Sequence, residues 1–183
     1  MEFKKQFKLF KRIIAFVFIV KSKKITDKAY GFSNNTVDNK YVTFIDYDIF
    51  VSETSLKHIK NKLKEIQNLF CLSDFFIFET NNGYHAINCD KLNLNTFLSV
   101  LNISNCDNNF IRTPLLFGHN RWTLRLSEKG SKKPKYLLRL KSNYNNYEKS
   151  LAHIKIIENI HNIKIDKRNC DNNTILTGCK YPI

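Results

Sequence analysis

Polar and apolar positions change period several times along this chain, and each change marks the edge of an element. Across residues 53 to 70, ETSLKHIKNKLKEIQNLF, the positions Leu56, Ile59, Leu63, Ile66 and Phe70 form one stripe with Lys60 and Gln67, acid first and lysine mostly later. That period predicts a helix lying on a sheet, its charges ordered to suit the helix dipole. The segment LNLNTFLSVLN, beginning at Leu92, predicts a second helix, and YEKSLAHIKIIENIHN a third, with Leu151, Ile154, Ile157 and Ile160 near one face.

Shorter runs rich in β-branched and aromatic residues predict strands: Tyr41 to Asp46, FFIFET from Phe75 to Thr80, YHAINC from Tyr84, and KYLLRL from Lys135 to Leu140. The NNG of Asn81 to Gly83 joins two of these as a tight hairpin. RWTLRLSEKG, Arg121 to Gly130, and KYLLRL predict a second hairpin across a turn bearing Gly and Pro. Alternation along its first arm places Arg121, Thr123, Arg125 and Ser127 on one face and Trp122, Leu124 and Leu126 on the other, a cationic working face behind an apolar one.

The polar stretch AYGFSNNTVDNK reads as a loop, and weak strand character remains around Ile163 to Ile165 and Thr174 to Leu176. The apolar run IIAFVFIV, Ile13 to Val20, reads as a buried strand; it falls far short of the about 20 residues of a spanning helix, so no membrane partner is expected. Together these elements predict an α+β fold, a mainly antiparallel sheet with packed helices, in a single domain over residues 1 to 183.

Charge narrows the partners. The chain of 183 residues carries 30 Lys and Arg against 16 Asp and Glu, a net charge of +14, which favours nucleic acid, nucleotide phosphates or an anionic membrane surface, and charge alone does not choose among them. The five cysteines are widely spaced, with no CxxC, and the N-terminus has no signal-peptide pattern. A reducing, intracellular setting is therefore expected. His153, His161, Cys170 and Cys179 have no standard zinc spacing.

Against that cationic background, FIDYD places two carboxylates, Asp46 and Asp48, at the end of an apolar strand. Residues i and i+2 of a strand share a face roughly 6 to 7 Å apart, so the pair is able to converge on one divalent cation if the strand is still extended there. Both solvated at a strand end is the plainer alternative. A phosphatase of the haloacid-dehalogenase type is disfavoured, because Ile49, Phe50 and Val51 follow where that family has Gly-Thr-Leu.

The order FIDYD, helix, strand, TNNGYHAI, helix, CDNNF, then RWTLRLSEKG resembles the archaeo-eukaryotic primase superfamily, the primase-polymerase core of small viral and plasmid replication proteins. The resemblance covers residues 41 to about 140. It implies an RRM-like catalytic core and template-directed nucleotidyl transfer with Mg²⁺ or Mn²⁺, by a two-metal mechanism. It also implies that Asp46, Asp48 and Asp107 are the metal ligands and that His85 contacts the phosphates of the incoming NTP or dNTP. Asn81 and Asn82 depart from the serine that many relatives have in the turn before the histidine.

The second hairpin offers Arg121, Arg125 and Lys129 to grip the triphosphate. Lys132, Lys133 and Lys135 stand at its tip, where they are able to follow the backbone of a single-stranded or primed DNA template. No GxxxxGK[ST] motif occurs, so unwinding would fall to a separate replicative helicase. Two other classes fit parts of the pattern: a glycosyltransferase whose DxD holds a nucleotide sugar, and a non-catalytic module that binds single strands on a cationic sheet.

Overall fold

The computed structural model describes residues 31–125 and 133–171, together with two strands near the N-terminus, β1 (Glu2–Leu9) and β2 (Arg12–Ile19), which pair antiparallel. The remaining described elements are β3 (Gly31–Ser33), β4 (Tyr41–Tyr47), α1 (Glu53–Phe70), β5 (Phe75–Glu79), β6 (Tyr84–Leu92), α2 (Leu94–Ile103), α3 (Asn108–Leu116), β7 (Thr123–Arg125), β8 (Lys135–Leu140) and α4 (Leu151–His161). This is an α+β fold with antiparallel sheets and four described helices.

Local chemistry accounts for the ends of α1. Ser52 caps its N-terminus, its hydroxyl accepting the Ser55 N–H at 3.1 Å. At the other end Cys71 turns left-handed at φ 54°, and Leu72 N–H closes on the Gln67 carbonyl at 3.0 Å. A non-glycine residue in that conformation costs about 1 to 2 kcal/mol. The helix repays this by burying Ile59, Leu63 and Ile66, each worth roughly 2 kcal/mol. Gln67 is buried on the same stripe because its amide donates to the carbonyls of Ser73 and Leu140, at 2.9 and 3.1 Å.

The larger sheet has the order β4-β6-β5-β8. Since β4 and β5 are each antiparallel to β6, they run parallel to one another, and α1 makes the crossover between them. Ile45, Tyr47, Phe75, Ile77 and Ala86 face α1 and α2. Val42, Phe44, Phe76, Phe78, Ile87 and Cys89 face the opposite way, under α4 and the small sheet of β3 and β7. A sheet covered on both faces needs apolar residues at consecutive positions, which is why FFIF does not alternate.

At the far end of β6 from the hairpin turn, Lys91 gathers three chain segments. Its ammonium lies 2.7 Å from Asp38, 2.7 Å from Glu148 and 3.1 Å from Asp171. Burial works against the charge, but the three carboxylates hold its proton above the usual lysine range.

Three expectations need correction. The segment starting at Arg121 does not form a hairpin with KYLLRL: β7 pairs with β3, and β8 pairs with β5. The reason is Asn34, which is fully buried. Its side-chain carbonyl accepts the Trp122 N–H at 3.0 Å, its own N–H donates to the Trp122 carbonyl at 2.9 Å, and its carbonyl accepts from Val42 at 2.8 Å. Such a clamp commits the backbone before β7 to the stretch read as a loop. Residues 163 to 165 form no strand; Ile165 instead donates its N–H to Glu158 at 2.9 Å. The predicted α4 face holds at Ile154 and Ile157, whereas Ile160 is exposed. Thr174 to Leu176 lie outside the described residues. Among those residues no helix is long and apolar enough to cross a membrane.

Candidate functional site

The site begins where β4 meets β6. Asp46 and His85 are direct cross-strand partners, on the face opposite α1 and α2, and His85 Nε2 stands 3.4 Å from Asp46 Oδ1. The row continues across the sheet, because Phe78 is the partner of both His85 and Tyr136. Phe78 is buried, and the His161 ring at the end of α4 lies 4.4 Å from it.

His85 exposes only 12% of its side chain and Asp46 35%. Burial pushes the His85 imidazole down to about 4, so it is neutral at pH 7 despite its carboxylate neighbour. Asp48 falls just past the last residue of β4, Tyr47, and is exposed. The two carboxylates therefore differ in setting: Asp46 on the ladder, Asp48 in water.

Gly83 locks the hairpin turn against this strand end. A Cβ there would lie 1.9 Å from the Tyr47 carbonyl oxygen and 3.1 Å from the Ile49 nitrogen, so only glycine fits between the turn and the backbone that carries Asp48. The constraint is space, since the φ of Gly83 is not left-handed. Tyr84, the next residue, points to the other face; its hydroxyl accepts from Ser52 N–H at 3.1 Å and donates to the Ser52 carbonyl at 3.0 Å. Turn, strand end and the α1 cap are thus held as one unit.

Asp107 arrives after α2. Its N–H donates to the Asp46 carbonyl at 2.9 Å, which brings the two residues side by side. Its carboxylate, however, caps α3, accepting from Asn109 N–H at 3.1 Å and Phe110 N–H at 3.3 Å. Between them Cys106 is buried, and burial followed by the charges of Asp107 and Asp46 pushes its thiol up. The other two acids near in sequence are elsewhere. Asp74 engages Arg139 and the Ser142 N–H, and Asp90 is buried against Ser73 at the opposite end of β6.

The carboxylate oxygens of Asp46 and Asp48 suit a hard divalent cation in chemistry. In number the set is short, because both oxygens of Asp107 serve the helix. Among the described residues no group of three or more His, Cys, Asp or Glu side chains is disposed to hold a metal ion.

The cationic residues divide. Lys133 and Lys135 are exposed, and Lys135 begins β8 opposite Glu79, at the same end of the sheet as Tyr47 and Tyr84. Arg121, exposed, and Arg125, half-buried, belong to the β7 segment and so to the smaller sheet. Lys129 and Lys132 lie outside the described residues.

Gly83, Tyr84 and Ser52 organise the site without having been singled out by chemistry in the sequence. The signal was present for Gly83, a glycine directly before the aromatic and the histidine. Compared with known protein families, curated proteins and solved structures, the chain matches none.

Proposed function

We propose that this chain carries out template-directed nucleotidyl transfer, as a primase or primase-polymerase core. The observation that carries the reading is the contact between Asp46 and His85, residues of two separate motifs that meet on adjacent strands. The path β4, α1, β5, with β6 inserted between the two strands, supports an RRM-like core of the split βαβ kind, with β8 added on the β5 edge.

In this reading Asp46 and Asp48 would hold Mg²⁺ or Mn²⁺, with Asp107 joining them by releasing its cap on α3. When bound, the metal supplies charge neutralisation at the leaving pyrophosphate and activation of the 3′-hydroxyl. His85 would meet phosphate oxygens of the NTP or dNTP through its imidazole. Arg125 and Lys129 are assigned to the triphosphate, and Lys132, Lys133 and Lys135 to the template backbone.

The test is extension of a primed single-stranded template with labelled dNTPs or NTPs and Mg²⁺ or Mn²⁺. Asp46→Ala and Asp48→Ala should each reduce extension by more than about 100-fold, the size reached by loss of even an outer partner of a metal site. Template binding should persist. Undiminished extension by the double variant overturns the assignment.

The commitment of Asp107 to α3 favours one alternative, a non-catalytic module that binds single strands. It predicts strand binding by the wild-type protein with no extension under either metal.

A further inference from the structure

Helix α3 is unusual among the four in burying no residue. Its first turn rests on the core through Phe110 and Ile111, which are partly buried. Its last turn is bare: Leu116 is 81% exposed and Phe117 70%. The rings of Phe117 and His119 lie within 18° of parallel, with centroids 6.4 Å apart, beyond Pro114 and around Gly118. Arg112 and Arg121, both exposed, stand on either side of them in the sequence. From Asn108 to Ser127 the chain has no acidic residue.

We propose that the end of α3, through Phe117 and His119 with Arg112 and Arg121, is a docking face for single-stranded nucleic acid. Exposed rings offer stacking surfaces for bases, and the exposed arginines of the same stretch offer cations for the backbone, the two requirements of sequence-tolerant strand binding. A second copy of this chain is a poorer occupant, because it would bring another +14 of charge against the arginines.

The helix also has a direction. Its N-terminus is tied to Asp46 through Asp107, and nine residues at 1.5 Å each put Phe117 roughly 13 Å away, about four stacked nucleotides. Phe50, 86% exposed, follows Asp48 on the segment leaving that same point. That a strand leads toward Asp46 rests on the nucleotidyl-transfer reading; that it binds α3 does not.

Fluorescence anisotropy with a labelled oligothymidylate over a range of salt concentrations tests the face. Phe117→Ala should weaken binding about five- to a hundredfold, and Phe117→Trp should restore it. Arg112→Ala combined with Arg121→Ala should flatten the slope of log K against log salt by about 1.4. The Phe117 side chain is exposed, so these variants keep the fold, which circular dichroism checks. Wild-type binding that all the variants retain unchanged overturns this inference and leaves the nucleotidyl-transfer reading intact. No wild-type binding overturns both. Self-association of the wild type that Phe117→Ala abolishes, seen by sedimentation, also overturns the inference, since the face would then join copies of this chain.

Discussion

A buried imidazole beside a carboxylate is a residue in two minds, and at His85 burial wins. A histidine whose folded value lies below its unfolded one leaves the unfolded chain holding more protons between the two values. The folded state is therefore favoured fully above about pH 6.5 and loses that advantage as the pH falls toward 4. The gap corresponds to about 3 kcal/mol. His153 and His161 are lowered by burial as well and act in the same sense, so the wild-type slope is a sum. His85→Gln should remove the His85 share: urea unfolding at pH 7 and pH 4.5 should show a loss smaller by about 2 to 3 kcal/mol than in the wild type. An identical loss in both proteins would mean that His85 is protonated in the folded state well above pH 4.

Among elements, the turn between β5 and β6 is the one with least tolerance. Gly83→Ala would drive a methyl into the Tyr47 carbonyl, which is backbone and unable to rotate away, so the turn or the strand end must move. Overpacking of this kind costs about 1 to 3 kcal/mol. Urea denaturation should register that loss, and extension activity should fall further than stability alone explains, because the displaced segment carries Asp48. Stability and activity equal to wild type would show that the turn does not press on β4.

The limits of α1 and β8 were legible in sequence because each has a periodic apolar stripe or a clear run bounded by polar residues. The strand carrying Asp46, and the turn before His85, were legible for the same reason. What was not legible depended on partners distant in sequence. Asn34 reads as one polar residue in a polar loop, yet it fixes where β7 pairs. Helix α3 has no buried face to give it a period, and Pro114 interrupts it, so its only local signal is the capping Asp107. That same capping, the plainer reading of Asp107 in NCDNNF, changes what the carboxylate has free to offer.

For the molecule as a whole, Lys91 is the point where separate segments are held together. Removing its ammonium leaves Asp171, 5% exposed, buried with one counter-charge fewer, while Asp38 and Glu148 reach water. Lys91→Met should therefore cost about 3 kcal/mol, the low end for breaking a buried pair. Burial works to raise Asp38, but its hydrogen bonds from Lys91 and Thr36 carry it below its ordinary value. Its contribution is present above about pH 4 and lost as the pH falls through the lowered value. The variant should lack that part of the acid sensitivity, as urea titrations on either side of pH 4 would show.

The partners of Lys91 also lie far along the chain, Glu148 at a separation of 57 residues and Asp171 at 80. Contacts that close such long loops cost the most chain entropy, so the ones that join these outer segments are expected to form after the sheet they rest on. The cluster should therefore be absent from the transition state for folding. Stopped-flow measurements on Lys91→Met should find refolding at nearly the wild-type rate and unfolding roughly a hundredfold faster. The ammonium would then govern how long the folded molecule lasts, and leave the speed at which it forms to the strands and helices beneath.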